Sequence, residues 1–423
     1  MSTGIRIQLW VMMFLQFFVW GSWAVTLGTY LGTIGFSDPQ IGAVYSTAAW
    51  GAIVSPFFAG MVADRFFPAQ IIMAVMHLIG AGFMYWASTI SDPLLLTQPE
   101  LSTTPALFFW VLLAYSSCYM PTLALVNAIS FNQMSDPGKE FPAIRVLGTL
   151  GWIAAGLTIN MVLPRFFGNG EEGFKIETTN VPLQMAAAVS LALGVYSFFL
   201  PKTPPKSQGK KVSVRDILGL DALKLMKDPS FAIFVVSSLL ICIPLAFYYN
   251  FTNPFLNELG VKNAASIQTF GQVSETLFMV LMPLFFIRLG VKKMLLIGML
   301  AWTVRYVFFA YGSAGMPGMS LLFIGILLHG ICYDFFFVTG QIYVDKTAPK
   351  AIQANAQGFF ALITYGVGMM IGSNVSGWIV GAYAKDGGHD WMKIWLIPGG
   401  MALAIVVLFF LFFREKNGNG KAV

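Results

Sequence analysis

The chain has 423 residues, of which 57% are hydrophobic and 10% are charged, and its formal net charge is +6. Because soluble domains carry roughly 25% charged residues, this composition excludes a cytosolic enzyme, a secreted disulfide scaffold and a disordered chain, and it predicts a polytopic membrane protein. The positive residues lie between apolar runs and not in one patch, so nucleic-acid binding is not expected. The three cysteines, Cys118, Cys242 and Cys332, lie inside apolar runs without metal or redox spacing, so we predict no metal and no cofactor.

Twelve apolar runs follow one another along the chain. Each is near the length of about 17–25 residues that a transmembrane helix needs. They predict an all-α polytopic membrane protein with twelve transmembrane helices. In chain order the runs cover residues 7–31, 40–63, 69–90, 105–131, 142–164, 181–200, 231–253, 265–288, 293–312, 318–343, 354–382 and 392–413.

The distribution of lysine and arginine predicts the orientation of these helices. With the N-terminus placed in the cytoplasm, 18 of the 25 Lys and Arg residues lie in cytoplasmic segments, 5 lie outside, and Arg145 and Arg305 lie within runs. Because cytoplasmic loops of membrane proteins carry the excess of positive residues, both termini are predicted to be cytoplasmic.

The longest polar stretch divides the runs six and six. It begins PKTPPKSQGKK and covers residues 201–230. We therefore predict an N-terminal six-helix half over residues 1–200, a basic cytoplasmic linker over 201–230 and a C-terminal six-helix half over 231–423. Two such halves joined by a basic linker resemble the major facilitator superfamily.

Two loop fragments support this resemblance. Gly60, Asp64 and Arg65 follow the second run, and the residues RLGVKK at 288–293 follow the eighth. They resemble two parts of the superfamily's loop signature, G-x-x-x-D-R-x-G-[RK]-[RK], and the resemblance implies a role in conformational change. The alternative is that they are ordinary positive residues of cytoplasmic loops.

Charged side chains are costly in the middle of a bilayer, so each one within a run is a candidate functional residue. Arg145 lies near the start of the fifth run, Glu275 in the middle of the eighth, and Asp334 deep in the tenth. Arg305, in the ninth run, has no polar neighbour at helical spacing, and we interpret it as structural. His77, in the third run, is interpreted as a hydrogen-bonded packing residue.

Helical spacing places polar and aromatic side chains on common faces. A lipid-facing stripe of this polarity would leave its polar groups unsatisfied, so several stripes together predict a water-accessible cavity between helices. The stripes are Arg145, Thr149 and Trp152; Gln268, Gln272 and Glu275; His329 and Tyr333 beside Asp334; Gln16, Trp20 and Trp23; Tyr119, Asn127 and Ser130; and Tyr248, Tyr249 and Asn250.

The side chains of these stripes are amides, hydroxyls, one arginine, two carboxylates and aromatic rings. They suit a neutral, polyhydroxylated solute, with an aromatic ring or without one, better than a polyanion. A packing role is the alternative for each of them. Asp334 or Glu275 could pair with Arg145 and hold helices together. For His329, packing and substrate binding are equally open. Glycines in the eleventh run indicate close helix packing, and they are Gly366, Gly368, Gly372 and Gly377.

A closer resemblance rests on five stretches, which are LQFFVWGSW at 15–23, YMPTLALVN at 119–127, FPAIRVLGT at 141–149, QVSE at 272–275 and YDFF at 333–336. They resemble the nucleoside:proton symporter family of the major facilitator superfamily, and the similarity runs through essentially the whole chain. Two further stretches are most similar to a bacterial subgroup of nucleoside transporters, and they are PLAFYY at 244–249 and HGICYD at 329–334.

The resemblance implies proton-driven nucleoside uptake. It carries the family's site positions onto Arg145, Thr149, Gln272, Glu275 and Asp334. The two carboxylates among these residues, Glu275 and Asp334, are the candidates for proton coupling. Since a nearby arginine would keep a carboxylate ionised, we predict that Asp334 carries the proton and that Glu275 accepts a hydroxyl of the substrate.

The chain departs from the family pattern at aromatic positions. Trp152 stands where the family has a different aromatic residue, and His329 and Tyr333 stand where it has tyrosine and phenylalanine. A glutamine and asparagine pair of the seventh span is not preserved, and Tyr248 and Asn250 are the candidates there. These five residues are predicted substrate ligands, and they leave the identity of the solute open.

The predicted mechanism is alternating access of two halves around a central site. The partners would be a small solute, protons and the lipid bilayer, and a monomer in a bacterial inner membrane is expected. The alternatives are a proton-coupled transporter of a sugar or polyol and a drug exporter, and sodium coupling also stays open. An enzyme is not predicted, because the chain has no H-E-x-x-H, P-loop or G-x-S-x-G motif.

Overall fold

The structure is a computed structural model that describes residues 1–58, 67–90, 105–168, 170, 173–205 and 220–414. These residues are almost entirely helical, with one two-stranded hairpin. The helical part of the all-α prediction is therefore confirmed, with the hairpin as the exception among the described residues. The predicted loop motif of Gly60, Asp64 and Arg65 lies outside the described residues.

The chain forms two compact units, of which the first comprises Met1–Val212 and Lys262–Thr269. Proline opens several of its helices, as expected for a residue whose missing N–H is not needed in the first turn. The elements are α1 (Thr3–Trp23), α2 (Leu27–Thr33), α3 (Asp38–Phe58), α4 (Ala69–Ile90), α5 (Pro105–Asn132), α6 (Pro137–Leu157), a π-helical turn (Thr158–Val162), α7 (Pro164–Phe167), a 3-10 turn (Ile176–Thr178) and α8 (Val181–Ser197).

The second unit comprises Ser213–Val261 and Phe270–Val423. Its hairpin pairs Ala384 with His389 and Lys385 with Gly388. The elements are a 3-10 turn (Leu220–Lys227), α9 (Pro229–Glu258), α10 (Ala264–Tyr311, whose first six residues belong to the first unit), α11 (Gly318–Leu327), α12 (His329–Tyr333), a π-helical turn (Asp334–Val338), α13 (Thr339–Thr347), a 3-10 turn (Lys350–Ile352), α14 (Gln353–Ala361), a second π-helical turn (Leu362–Gly368), α15 (Met369–Ala382), β1 (Ala384–Lys385), β2 (Gly388–His389) and α16 (Trp391–Phe412).

Eight helical stretches of the described residues are long and apolar enough to cross a membrane. They correspond to eight of the predicted runs. The other four predicted runs fall in α3, in α8 and, as a pair, in the long helix α10, so a count of twelve spans stays a prediction. The eight stretches are Thr3–Thr33, Ala69–Ile90, Pro105–Asn132, Lys139–Phe167, Pro229–Glu258, Gly318–Thr347, Gln353–Ala382 and Trp391–Phe412.

Helix α10 joins two predicted runs without a loop. Its backbone leaves helical geometry at Gly290, where φ is 69° and ψ is 179°. Glycine adopts positive φ at no steric cost, because it has no Cβ. The eighth and ninth predicted runs are separated at this position. In the structure they are joined there by a kink in one helix.

Caps define where helices begin. Asp228 accepts hydrogen bonds from the backbone N–H groups of Ser230 and Phe231 at 2.9 and 3.3 Å, and it starts α9. Asp390 caps α16 in the same way, and its carboxylate lies 2.8 Å from Nζ of Lys385. The hydrogen bond from Lys385 lowers the pKa of Asp390 below its usual value.

A buried glutamate holds the beginning of α10 within the first unit. Glu177 is 1% exposed, and its Oε1 accepts hydrogen bonds from the Ala265 N–H at 2.9 Å and from Asn160 Nδ2 at 2.7 Å. Asn160 Oδ1 accepts from the Ser266 N–H at 2.7 Å. These acceptors satisfy N–H groups that the first turn of a helix leaves free, and the negative charge faces the positive end of the helix dipole.

Helix α9 packs closely on the glycine-rich stretch before and within α15. A Cβ added at Gly368 would lie 2.8 Å from the Cβ of Cys242, and one added at Gly372 would lie 2.7 Å from the Cys242 carbonyl oxygen. These separations are shorter than van der Waals contact. The prediction of close helix packing in the eleventh run is confirmed at these two glycines.

We expect Gly372→Ala to destabilise the second unit by about 1–3 kcal/mol, because the new methyl group meets backbone and cannot be accommodated by a side-chain rotation. Gly400→Ala is the matched control, since a Cβ there has open space within 4 Å. Thermal unfolding in detergent measures both. A melting temperature that falls equally in the two variants, or in neither, would contradict this account of the packing.

Candidate functional site

Three elements of the second unit bring aromatic rings and a carboxylate together around one histidine. Helix α9 supplies Tyr248 and Tyr249, α10 supplies Glu275, and α12 supplies His329 and Tyr333. The Tyr248 ring stacks on the imidazole of His329 with centroids 5.2 Å apart and planes inclined by 20°, and Tyr249 meets the same imidazole edge-on at 6.2 Å. Tyr333 lies against it at 6.0 Å. We call these five residues the His329 cluster.

The imidazole of His329 faces the Glu275 carboxylate. His329 Nε2 lies 3.6 Å from Glu275 Oε2, and the side chains are 3% and 12% exposed. His329 Nδ1 has no hydrogen-bond partner among the described residues. Glu275 therefore presents a partly accessible acceptor beside a stack of rings, and this combination can bind a hydroxyl and a planar group at the same time.

Two glycines let α10 and α12 approach closely enough for that contact. A Cβ at Gly271 would lie 3.2 Å from the Cβ of His329 and 3.3 Å from the Tyr248 hydroxyl. A Cβ at Gly330 would lie 2.5 Å from the Ser274 carbonyl oxygen. Backbone contact between the two helices is thus what brings Glu275 to His329.

Asp334 begins the π-helical turn directly after α12. The residue is 0% exposed, and both carboxylate oxygens are without a hydrogen-bond partner in the part of the chain that the structure describes. An isolated carboxylate in this setting must be neutralised, either by a partner or by a proton. Single π-turns within helices occur frequently at functional sites.

Tyr333 is linked to a second π-helical turn. Its hydroxyl lies 3.0 Å from the hydroxyl of Tyr365, and the Tyr365 ring stacks on Phe337 at 5.4 Å. Sequence reasoning missed Tyr365. The available signal was that it is the one tyrosine within the eleventh predicted run.

Arg305, interpreted from the sequence as structural, lies against the His329 cluster. Its guanidinium carbon is 4.1 Å from the centroid of the Tyr248 ring, and its Nε donates to the Gly325 carbonyl oxygen at 3.0 Å. The residue is 0% exposed. A cation over an aromatic face is attracted by the electron density of that face.

In the first unit, α6 positions the predicted residues Arg145, Thr149 and Trp152, and all three side chains are half-buried. The guanidinium of Arg145 lies over the Phe17 ring, 4.2 Å from its centroid. Trp152 packs edge-on against Trp20 at 5.6 Å. The helical spacing therefore does place a cation, a hydroxyl and an aromatic ring on one half-buried stretch, beside the aromatic residues of α1.

A buried polar network supports this region. His77 is 1% exposed; its Nε2 lies 2.9 Å from Gln16 Oε1 and its Nδ1 lies 3.0 Å from the Ser190 hydroxyl. Gln16 Nε2 donates to the Thr122 hydroxyl at 2.7 Å, and Tyr119 donates to the Gln16 carbonyl oxygen at 2.6 Å. The interpretation of His77 as a hydrogen-bonded packing residue is confirmed.

Two predicted ligands lie in other surroundings. Asn250 is 1% exposed, and its Nδ2 donates to the Ser376 hydroxyl at 3.2 Å, so the structure places this amide at a contact between α9 and α15. Gln272 is half-buried on α10, next to Gly271. Substrate contact by either residue stays a prediction.

The described residues contain no group of three or more His, Cys, Asp or Glu side chains that could hold a metal ion. The cysteines Cys242 and Cys332 are buried and Cys118 is half-buried, and all three are free thiols.

A model of the nucleoside H+ symporter family matches residues 1–418. The chain belongs to this family. As a member of the nucleoside H+ symporter family it is 44% identical to YegT of Escherichia coli (strain K12), over 97% of this chain and 94% of YegT. It is 35% identical to the xanthosine permease of the same organism, over 100% of this chain and 98% of the permease.

The symporter family also has a solved structure that this chain resembles. The crystal structure of the nucleoside transporter NupG is 34% identical in sequence, covers 97% of this chain and 100% of its own, and superimposes with a TM-score of 0.85. A POT family transporter at 13% identity and a TM-score of 0.71 shares the fold alone. The resemblance inferred from LQFFVWGSW and the other stretches is confirmed, with the major-facilitator-like fold that it implies.

Proposed function

We propose that this protein takes up nucleosides together with protons by alternating access. Its two halves, residues 1–200 and 231–423, would move about the linker over 201–230, with twelve spans and both termini in the cytoplasm. Membership of the nucleoside H+ symporter family and similarity to NupG and the xanthosine permease support the solute and the coupling. We further propose a monomer in a bacterial inner membrane, with no enzymatic activity.

The observation that carries the proposal is the His329 cluster with its partly accessible carboxylate, Glu275. Glu275 would accept hydroxyl groups of the ribose, because an ionised carboxylate forms the stronger kind of hydrogen bond. The half-buried ring of Tyr333 would stack on the base, since aromatic faces attract planar rings, and the buried rings of Tyr248 and His329 would support the site. Gln272 could complete the polar contacts.

In the first unit we propose Arg145, Thr149 and Trp152 as substrate ligands on the family resemblance. Their half-buried position and the aromatic residues beside them support this assignment. A single arginine over a phenylalanine ring suits a neutral base or a hydroxyl and does not suit a polyphosphate. Nucleosides are therefore favoured over nucleotides.

For the proton we propose Asp334, with Glu275 as the second candidate. Asp334 is fully buried and its oxygens have no hydrogen-bond partner within the described residues, so its charge is not compensated by a local donor. Glu275 has His329 beside it. A proton that binds Asp334 would neutralise an unfavourable buried charge. Movement of the proton across the membrane would in this way be coupled to movement of the solute.

Uptake into proteoliposomes tests the function. Purified protein would be reconstituted and supplied with labelled uridine or adenosine, under an inward proton gradient with sodium held constant, and with or without a protonophore. We expect accumulation that the protonophore abolishes, and none in protein-free vesicles. If folded protein accumulates neither nucleoside, the proposed substrate is wrong, and sugars, polyols and exported drugs become the candidates. Accumulation that follows sodium and ignores the protonophore would refute proton coupling.

A further inference from the structure

Arg305 is a fully buried cation to which the proposed transport cycle assigns no role. It is 0% exposed, and Nη1 and Nη2 have no hydrogen-bond partner in the described part of the chain. One N–H group, at Nε, donates to the Gly325 carbonyl oxygen. Burying a guanidinium with so few partners is unfavourable, and an apolar side chain of similar volume would pack at lower cost. Packing alone therefore does not account for an arginine at this position.

Its contacts lead in three steps to the predicted substrate ligand Glu275. The Arg305 guanidinium carbon lies 4.1 Å from the centroid of the Tyr248 ring. That ring stacks on the imidazole of His329 at 5.2 Å, and His329 Nε2 lies 3.6 Å from Glu275 Oε2. A displacement of the Tyr248 ring would leave the His329 imidazole without the surface on which it rests.

The helix that carries Arg305 is held firmly at the same level. The neighbouring Tyr306 is 0% exposed, and its hydroxyl donates to the Pro244 carbonyl oxygen of α9 at 2.6 Å. The Tyr306 ring stacks on Trp395 of α16 at 5.7 Å with planes inclined by only 8°. The part of α10 that carries Arg305 is thus hydrogen-bonded to the backbone of α9, the helix that carries Tyr248.

We propose that Arg305 is a positioning residue for substrate selection: through the Tyr248 ring it fixes the orientation of His329 beside Glu275, and so it sets the preference between nucleobases. This inference rests on the proposed function. The planar guanidinium suits the task because it can lie flat on a ring while one N–H holds it to a carbonyl oxygen. The two NH2 groups at Nη1 and Nη2, which have no hydrogen-bond partner among the described residues, are the cost of that geometry.

The geometric part can be tested without any transported solute. The chain has only three histidines, His77, His329 and His389. In nanodiscs containing protein labelled with 15N-histidine, the His329 ring signals can be assigned from the His329→Gln variant. We expect Arg305→Met to shift these signals in the same direction as Tyr248→Leu, because both remove the ring from its place on the imidazole. Unchanged His329 signals in a folded Arg305→Met protein would overturn the proposal, whatever the solute.

The functional part compares KM values for uridine and adenosine in proteoliposomes. Arg305→Met should change their ratio by about 2- to 30-fold, the range that corresponds to loss of a cation–π contact, with maximal rates largely retained. Arg305→Lys keeps a cation without the planar guanidinium and should give an intermediate ratio. The exposed Arg165→Met is the matched control.

A double variant separates positioning from general packing. If Arg305 acts through Tyr248, adding Arg305→Met to Tyr248→Leu should change the KM ratio no further. Additive effects, or an unchanged ratio in Arg305→Met, would overturn the proposal. A wild-type protein that transports no nucleoside would refute the proposed function instead, and the histidine signals would still decide the positioning contact.

Discussion

Replacing Asp334 with asparagine should abolish proton-driven accumulation of nucleoside and leave nucleoside exchange across the membrane intact. Asparagine fills the same space and cannot take up a proton. The variant would therefore still bind the solute, but the proton gradient would no longer drive its transport. One proton moving through 100 mV contributes about 2.3 kcal/mol, which supports roughly 50-fold accumulation. We therefore expect the internal concentration in Asp334→Asn vesicles to stop near the external one.

The matched control is Asp345→Asn, the same substitution at an exposed position on α13, a few turns along the same helical stretch. It should accumulate nucleoside like the wild type. Counterflow, in which unlabelled internal nucleoside drives entry of labelled nucleoside, shows that the Asp334→Asn protein is folded and binds substrate. Accumulation that persists in Asp334→Asn and disappears in Glu275→Gln would assign the proton to Glu275.

Glu275→Gln should raise the KM for nucleosides by about 10- to 150-fold, which corresponds to the 1.5–3 kcal/mol typical of a hydrogen bond to a charged group. The amide keeps the shape of the side chain and loses the ionised acceptor. His329→Gln should raise the KM less, since it removes a stacked ring and the neighbour of the carboxylate. Initial rates of uptake over a range of nucleoside concentrations measure both effects.

The two side chains should also couple, because they lie 3.6 Å apart. We expect the double variant to differ from the sum of the single ones by about 0.5–3 kcal/mol. The pair Glu258 and His389 is the matched control, since its atoms lie 2.6 Å apart at the hairpin end of the same unit. Glu258→Gln and His389→Gln should leave the KM unchanged. Additive effects of Glu275→Gln and His329→Gln would contradict a shared site.

Patterns within single helices could be predicted from the sequence because they depend only on helix geometry and on the cost of exposing polar groups to lipid. Eight of the predicted runs coincide with membrane-length helices. The spacing of Arg145, Thr149 and Trp152 likewise places them on one half-buried stretch of α6. Single charges such as Asp334 could be singled out because each is expensive in an apolar run.

Pairings between helices could not be predicted, because they depend on which helices lie side by side and at what height. The contact of Glu275 with His329 joins positions far apart in the chain and depends on the small surface of Gly271 and Gly330. The hydrogen bond by which Glu177 caps α10 joins a 3-10 turn to a residue 88 positions later in the chain. No local pattern carries that information.

Local backbone detail also emerged only in three dimensions. The π-helical turn that begins at Asp334 and the one that contains Tyr365 have no composition signal that separates them from ordinary helix. The same holds for Arg305, which has no polar neighbour at helical spacing and whose contact is with the Tyr248 ring of another helix.

For this protein, the sequence by itself determined the membrane class, the placement of the apolar helices, the family and the residues whose charge needs a reason to lie in a bilayer. Those properties follow from composition, periodicity and solvation cost, which act residue by residue. Only the tertiary structure decided what surrounds each charged residue. Glu275 faces His329, Arg305 covers Tyr248, and Asp334 lies without a hydrogen-bond partner among the described residues. These contacts depend on packing between helices, where a glycine or a single ring determines how closely two backbones approach.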